Sequence, residues 1–494
     1  MRVRIVPLKT GKKAIQVVSK RWGKLTVHKH LGSFTTEDQK QALLEKAGEY
    51  IKCQTGQTEL FTLPEYLQLK NVIITQSRSL FLYRLLCRIY NYLGLDKCGD
   101  NLIRDLIVAR IYQPQSKRET REILSDSFGI NYSLLTIYRH LKKAIDKNLK
   151  DQFQEALIDF ARKGLNDSLR LVFYDVTTLA FDSQTKAGLK DFGFSKDHRF
   201  TDVQIVVGLV VNRQGFPLYF DIFNGRTFEG KTFVSVIENI KSLLKNPDLV
   251  VIADAAMISR INVEELDKRN IGFIVGARLA NLPVVLRDKI SKEVSGQDQK
   301  TTTVEYLDHR LICQYLTKRA AKDRSDREKQ TTKANNAISS PSMISRRFRF
   351  VKAVNGKYEV NNALIEKAKK LEGIKGYLTN TKLDENIIIE RYHDLWRIEK
   401  SFRITKSDLE ARPVFLRLDK TITCHLIIVF ASLAICRYLE IQTNLSIQKI
   451  LKIAQKVLTH SVTNTQTGEK AAIETTLLDE ELKQKINLLN SLGH

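Results

Sequence analysis

Asp175 and Asp254 each close a short apolar run, Leu171-Val172-Phe173-Tyr174 and Leu249-Val250-Val251-Ile252-Ala253, and Glu399 stands among aromatic and basic residues in the stretch Arg391 to Lys406. A run that is apolar on both faces reads as a central strand of an α/β sheet, and ligands gather at the carboxyl ends of such strands. If the two strands are neighbours, three carboxylates with water and phosphate oxygens suit Mg²⁺, which takes octahedral oxygen ligation and rarely a full protein cage. Two such ions about 4 Å apart activate an attacking hydroxyl and stabilise the departing oxygen of an in-line phosphoryl displacement. Spacing leaves Asp182, Asp191, Asp197, Asp202 and Asp221 open as alternatives, because an Asp at a strand end often only caps a helix or a turn.

The stretch Arg391 to Lys406 is expected to be one helix. Tyr392, Glu399 and Lys406 are spaced by sevens, almost two turns, so they should stack along one face about 10 Å apart. That flanks a carboxylate with a phenol and an ammonium. Leu395, Trp396, Ile398 and Phe402 form the apolar side, and Trp396 either packs in the core, the place favoured slightly, or stacks on a base. Taken alone, the stretch reads as an amphipathic surface helix.

The elements that must position these residues follow in chain order. Residues 1–36 alternate as strands, and Thr35-Thr36-Glu37-Asp38 reads as a helix start. Leu80 to Leu157 is helical in spacing. Within it, Arg118 to Leu124, a turn at Phe128-Gly129-Ile130 and Leu134 to Lys143 outline a helix-turn-helix, whose second helix carries Arg139, Lys142 and Lys143 toward a major groove. From Leu169 the order is three strands, helix, strand, helix, strand, with Asn212-Arg213-Gln214-Gly215 as a turn between antiparallel strands. Between about Asn281 and Lys375 the chain is polar and basic: Lys318 to Lys352 holds eleven Lys or Arg against three acids. That imbalance favours a phosphate-contacting surface over a merely solvated face. A Ser/Pro turn is expected at Ile338 to Ile344 and a hairpin around Asn355-Gly356. Thr423 to Leu439 is an apolar helix, and the remainder reads as a mainly helical tail.

Composition sets the class. Lys plus Arg number 80 against 55 Asp plus Glu, a net +25 spread along 494 residues, which points to a polyanionic partner, nucleic acid before membrane. The longest apolar run, Leu426 to Cys436, has 11 residues, well short of the roughly 20 that span a bilayer. The start of the chain lacks the apolar core of a signal peptide, so a cytoplasmic protein is expected. Six dispersed cysteines argue against a zinc ribbon or a disulfide framework.

Taken together, these residues resemble the DDE transposases of bacterial insertion sequences, specifically the group whose Glu lies in a Tyr-x2-Arg-x3-Glu-x6-Lys signature. Tyr392, Glu399 and Lys406 have the signature spacing. Asp175 in Phe-Tyr-Asp-Val-Thr-Thr matches the first Asp and Asp254 in Val-Ile-Ala-Asp-Ala the second. The likeness extends to Gly215-Phe216-Pro217-Leu218, Asn224-Gly225, Arg412-Pro413 and His425. One position departs: the signature Arg is Leu395 here, and Arg397, two residues on, points elsewhere around a helix.

The resemblance implies an α/β protein with a ribonuclease-H-like mixed sheet core and a β-rich insertion, preceded by a mainly helical DNA-binding region. The expected segments are a β/α unit at 1–75, the helical region at 76–165, the core at 166–280 and 376–445, the basic insertion at 281–375 and a helical tail at 446–494. It implies two strands held adjacent, with Asp175, Asp254 and Glu399 holding two Mg²⁺, Mn²⁺ being able to substitute. Tyr392, Trp396, Arg397, Arg403 and Lys406 would contact DNA at the site. The expected partner is double-stranded DNA, as terminal inverted repeats and target, bound by a homodimer at the bacterial nucleoid. The expected function is cleavage at transposon ends and strand transfer. A nuclease of the same fold and a catalytically silent DNA-binding repressor are the alternatives.

Overall fold

The computed structural model describes every residue except 9–11, 22–23, 56–71, 195–200, 258, 340–347, 355–356, 412–417, 466, 476 and 478. The chain divides into two compact units: residues 1–75 with 461–473, and residues 76–460 with 474–494.

The first unit carries three antiparallel strands, β1 (Arg2–Pro7), β2 (Lys13–Arg21) and β3 (Lys24–Phe34), and helix α1 (Glu37–Thr55). Ile15, Val17, Phe34 and Ala47 are buried between sheet and helix. Strand β4 (Val72–Arg78) leads out of this unit.

In the second unit, five helices come first: α2 (Leu80–Tyr92), α3 (Asn101–Tyr112), α4 (Lys117–Ile123), α5 (Leu134–Asp146) and α6 (Leu149–Lys163). Their starts are written in the sequence. Ser116 and Glu119 form a reciprocal capping box on α4, and Ser133 accepts from the Thr136 amide at the start of α5. Gly129 takes a left-handed φ of 76° where the turn after α4 closes, a conformation that glycine adopts without steric cost. Asp105 on α3 is buried and fully used. It accepts 2.8 Å bonds from the hydroxyls of Tyr83 on α2 and Tyr132 before α5, and it pairs with Arg104 at 3.0 Å. One acid thus ties the helix-turn-helix to its supporting helices.

The sheet follows: β5 (Leu171–Ala180), β6 (Gln204–Asn212), β7 (Pro217–Asn224), helix α7 (Glu229–Leu244), β8 (Val250–Ala253), α8 (Arg260–Lys268) and β9 (Gly272–Ala277). All nine residues of β6 are buried, as its unbroken apolar run required. β5 lies antiparallel to β6 and parallel to β8. The order β7-β6-β5-β8-β9, with the first three antiparallel and the last two parallel to β5, is the ribonuclease-H-like arrangement.

The intervening segment alternates helices and strands. It comprises α9 (Val284–Val294), β10 (Thr301–Tyr306), β11 (His309–Tyr315), the 23-residue α10 (Thr317–Ser339), the hairpin β12 (Val351–Val354) and β13 (Lys357–Val360), α11 (Asn362–Lys370) and β14 (Ile374–Thr379). It is continuous with the core: β14 pairs with β9, and β11 and β10 extend the same sheet to eight strands. The expected hairpin turn at Asn355-Gly356 and most of the Ser/Pro turn lie outside the described residues.

Then come α12 (Glu385–His393), α13 (Trp396–Arg403) and α14 (Asp419–Thr443). The last is long and apolar enough to cross a membrane, but 94% of its apolar window is buried inside the protein, so it serves as a core helix. Cys424 on it donates to the Leu141 carbonyl of α5 at 2.7 Å, joining the helical region to the core. The tail holds strands beside the expected helices. After α15 (Ile447–Ala454), strands β15 (Thr459–Asn464) and β16 (Lys470–Glu474) form a sheet in the order β16-β15-β4, before α16 (Glu480–Asn490). The partner strand lies nearly 400 residues away in sequence, which no local pattern in the tail reveals.

The Asp105 hub makes a test of the helical region. Asp105→Ala strands two phenol hydroxyls and Arg104, and is expected to cost about 3 kcal/mol, read as a lower urea midpoint.

Candidate active site

The parallel pairing of β5 with β8 aligns Leu171 with Val250 and Tyr174 with Ala253. The next residues in each chain are Asp175 and Asp254, so the two carboxylates leave neighbouring strands side by side. Asp175 is half-buried and Asp254 exposed. Among the alternatives, Asp221 is paired with Lys150 at 2.7 Å, Asp191 with Lys186 at 2.8 Å, and neither these nor Asp182 and Asp202 line the cavity described next. Asp197 lies outside the described residues.

Asp175, Asp254 and Glu399 open onto one cavity of about 440 Å³, together with Gly276, Ala277, Arg319, Lys375, Tyr392, His393, Leu395 and Trp396. Among the described residues no three acids, histidines or cysteines close into a metal cage. The donor set nevertheless fits Mg²⁺, which keeps several waters and uses one or two carboxylates completed by substrate phosphates.

The helix expected across Arg391 to Lys406 is broken. Between α12 and α13 the backbone bonds tighten: Leu395, Arg397 and Ile398 donate to carbonyls three residues back, at 3.0–3.2 Å. A turn of three residues advances the chain by 120° per residue instead of 100°, so the heptad phase is lost there. After α13 a wide turn, Ile404–Asp408, shifts the phase again. Tyr392 and Glu399 still reach the cavity, whereas Lys406, Arg397 and Arg403 are not among its lining residues. Arg397 instead pairs with Asp394 at 2.9 Å and lies over the Trp396 ring. Trp396 itself is 51% exposed at the rim, so of its two expected places the core is not the one it takes. Ile398 and Phe402 supply the buried face.

Tyr392 is the most constrained side chain of the group. Its hydroxyl donates to Asp254 Oδ1 at 3.2 Å, and that same oxygen accepts the Ala255 amide at 2.6 Å. Burial, and then the Asp254 charge, push the phenol far above its ordinary value, so it stays a neutral donor. The ring fits because residue 276 is glycine: a Cβ there would stand 2.3 Å from the Tyr392 hydroxyl.

Glu399 is positioned from behind. Ser401 Oγ donates to the Gly215 carbonyl at 3.1 Å, in the turn between β6 and β7. Lys400 pairs at 2.8 Å with Glu440 of α14, which also holds Arg437 at 2.6 Å. Arg437 in turn donates to the Gly215 and Gln214 carbonyls at 3.0 and 2.7 Å. Gly215 has a φ of +78°, and a Cβ on it would meet Arg437 at 2.6 Å and Arg397 at 3.3 Å.

Sequence reasoning missed Arg319, Lys375, His393 and Gly276. The charge run from Lys318 was visible, but which of its cations faces the carboxylates was not. Arg139, Lys142 and Lys143 are exposed on α5, and Arg412-Pro413 lie outside the described residues.

The transposase DDE domain family matches residues 167–435, more than half of the chain. The chain belongs to the DDE transposase family. DDE transposases cleave and transfer DNA strands and depend on divalent metal. No curated protein matches. Two solved transposase structures are distantly similar. The cryo-EM structure of the piggyBac transposase synaptic complex with hairpin DNA has a TM-score of 0.41 and 8% identity, over 83% of this chain and 85% of that one. The crystal structure of a pre-cleavage Mos1 transpososome has a TM-score of 0.17 and 10% identity, over 64% of this chain and 99% of that one.

For this DDE transposase, Gly276→Ala should displace the Tyr392 hydroxyl from Asp254 with little effect on the fold. Strand cleavage is expected to fall on the order of 100-fold, and Tyr392→Phe, which removes only the hydroxyl, should lose less. Single-turnover cleavage of a labelled duplex compares the two.

Proposed function

We propose that this enzyme excises a bacterial insertion sequence by cutting at its terminal inverted repeats and joins the freed ends to target DNA. Asp175, Asp254 and Glu399 carry the reaction by holding two Mg²⁺ ions, for which Mn²⁺ substitutes. The observation behind this reading is the register of β5 against β8, which sets Asp175 beside Asp254 on the cavity that Glu399 also lines. The ions supply charge neutralisation at the scissile phosphate and a more nucleophilic hydroxyl.

The protein's own residues have distinct tasks. The Tyr392 hydroxyl fixes the rotamer of Asp254. Trp396, exposed at the rim beside Arg397, offers a stacking face to a base near the cut. Water attacks first; the 3′ hydroxyl so released then attacks the target strand. Arg139, Lys142 and Lys143 lie on the exposed side of α5, the second helix of the helix-turn-helix, and reach DNA beyond the cut. Their charge supports retention on the duplex, in keeping with the net +25 of the chain. Two copies bring two ends together in the cytoplasm, at the nucleoid.

A plasmid excision assay tests the assignment. Glu399→Gln keeps the shape of the side chain and removes its charge, so excision is expected to fall at least on the order of 10³-fold while end binding persists. Undiminished excision by that variant would falsify the assignment.

A further inference from the structure

Three carboxylates around one cavity repel the DNA phosphate they must admit. In the signature that this chain resembles, an Arg stands where Leu395 lines the cavity, and Leu395 brings no charge. Positive charge nevertheless reaches the cavity from two residues far from Glu399 in sequence.

Lys375 is the second residue of β14, beside β9, whose Ala277 pairs with Gly376. Its ammonium lies 4.6 Å from the centre of the Tyr392 ring and 5.6 Å from that of Tyr377. These two rings stand edge to face, 5.0 Å apart. The ammonium is therefore held over aromatic faces, an arrangement that attracts a cation without neutralising it. Among the described residues, no carboxylate stands within ion-pair distance of it; burial first, and then the Arg319 charge, hold its pKa below the ordinary lysine value, while Asp254 and Glu399 pull the other way.

Arg319 is the third residue of α10 and lines two cavities. One is the carboxylate cavity; the other, of about 530 Å³, adjoins it through Ala277, Arg319, Lys375 and Gly376. Its partner is Asp323, one turn along the same helix at 3.4 Å, with both side chains partly exposed. Such a partly exposed pair on one helix is weak, so a phosphate that takes the guanidinium in two parallel bonds displaces it readily.

We propose that Arg319 and Lys375 grip a DNA backbone phosphate at the carboxylate cavity, supplying from the inserted segment the positive charge that Leu395 does not. The proposal rests on the transposase reading above. Lys375 supplies a point charge and Arg319 a planar fork, and both line the two adjoining cavities, so the strand passes from one cavity toward the other. The inserted segment becomes part of the reaction centre through side chains as well as through strand pairing.

The test uses the full-length protein and a fluorescent duplex of the element's terminal sequence, read from the DNA flanking the gene. Arg319→Gln lies on a partly exposed helix face and Lys375→Met keeps the stem of the side chain, so both retain the packing around them. Each is expected to lower single-turnover cleavage at saturating DNA by about 10- to 100-fold. In a Glu399→Gln background, which binds without cutting, each should also reduce the slope of log affinity against log salt by about 0.9. Lys375→Arg should keep that slope. A merely structural role would leave it unchanged in every variant. An unchanged slope in Arg319→Gln and Lys375→Met overturns the proposal, whatever happens to cleavage. The background variant separates the two failures: if Glu399→Gln itself cuts normally, the carboxylate assignment fails, while the salt slopes still report on Arg319 and Lys375.

Discussion

The parallel pairing of β5 and β8 is the constraint on which the rest of the structure depends. A sheet bond network has a register with a period of two residues, so sliding one strand by one position would turn Asp254 to the opposite face from Asp175. The register is held by burial rather than by the acids. Val172, Phe173, Val251 and Ile252 are all fully buried, and a shift would expose them. The acids follow at the ends of these runs because that is where the apolar sequence stops and solvent begins. The crossover helix α7 packs on β5, where Tyr174 meets Thr232 and Phe233, and β6 and β7 continue the sheet beside it, so the reaction centre stands on a fully packed part of the molecule.

Glu399 reaches the same place by a different route. Its helix belongs to no sheet, and what fixes it is a polar cluster around the turn at Gly215. Three carbonyl and carboxylate acceptors there share Ser401, Lys400 and Arg437. Buried charges are costly unless every group is satisfied, and here Glu440 accepts from Arg437, Lys400 and the Ile447 amide together. Such a cluster tolerates few alternative geometries, which suits a helix that must present one carboxylate to two others.

The segment between β9 and α12 adds charge to this centre and strands to its sheet. β14 runs along β9 and brings Lys375 to the cavity, and α10 begins with Arg319 at its edge. Tyr392 joins the two parts. Its hydroxyl binds Asp254 while its ring carries Lys375, so the orientation of a carboxylate and the location of a cation depend on one side chain. The narrow seat left by Gly276 keeps that side chain in register.

The sequence by itself determined the strand and helix order from Leu169 to Ala277, the helix-turn-helix with its caps, and the three acids. Apolar runs, cap residues and turn residues act locally, and their spacing survives in any fold they build. The break at Leu395 was not legible, because a tightening from four-residue to three-residue bonds changes the phase of a helix without changing its composition. The exposure of Trp396 follows from that phase. Nor did local pattern reveal that the tail forms strands with β4, that the inserted strands extend the main sheet, or that Arg319 and Lys375 meet the carboxylates. Each of these depends on partners distant along the chain. Only the tertiary structure decided them, since a strand edge or an unpaired cation takes its role from whatever packing brings beside it.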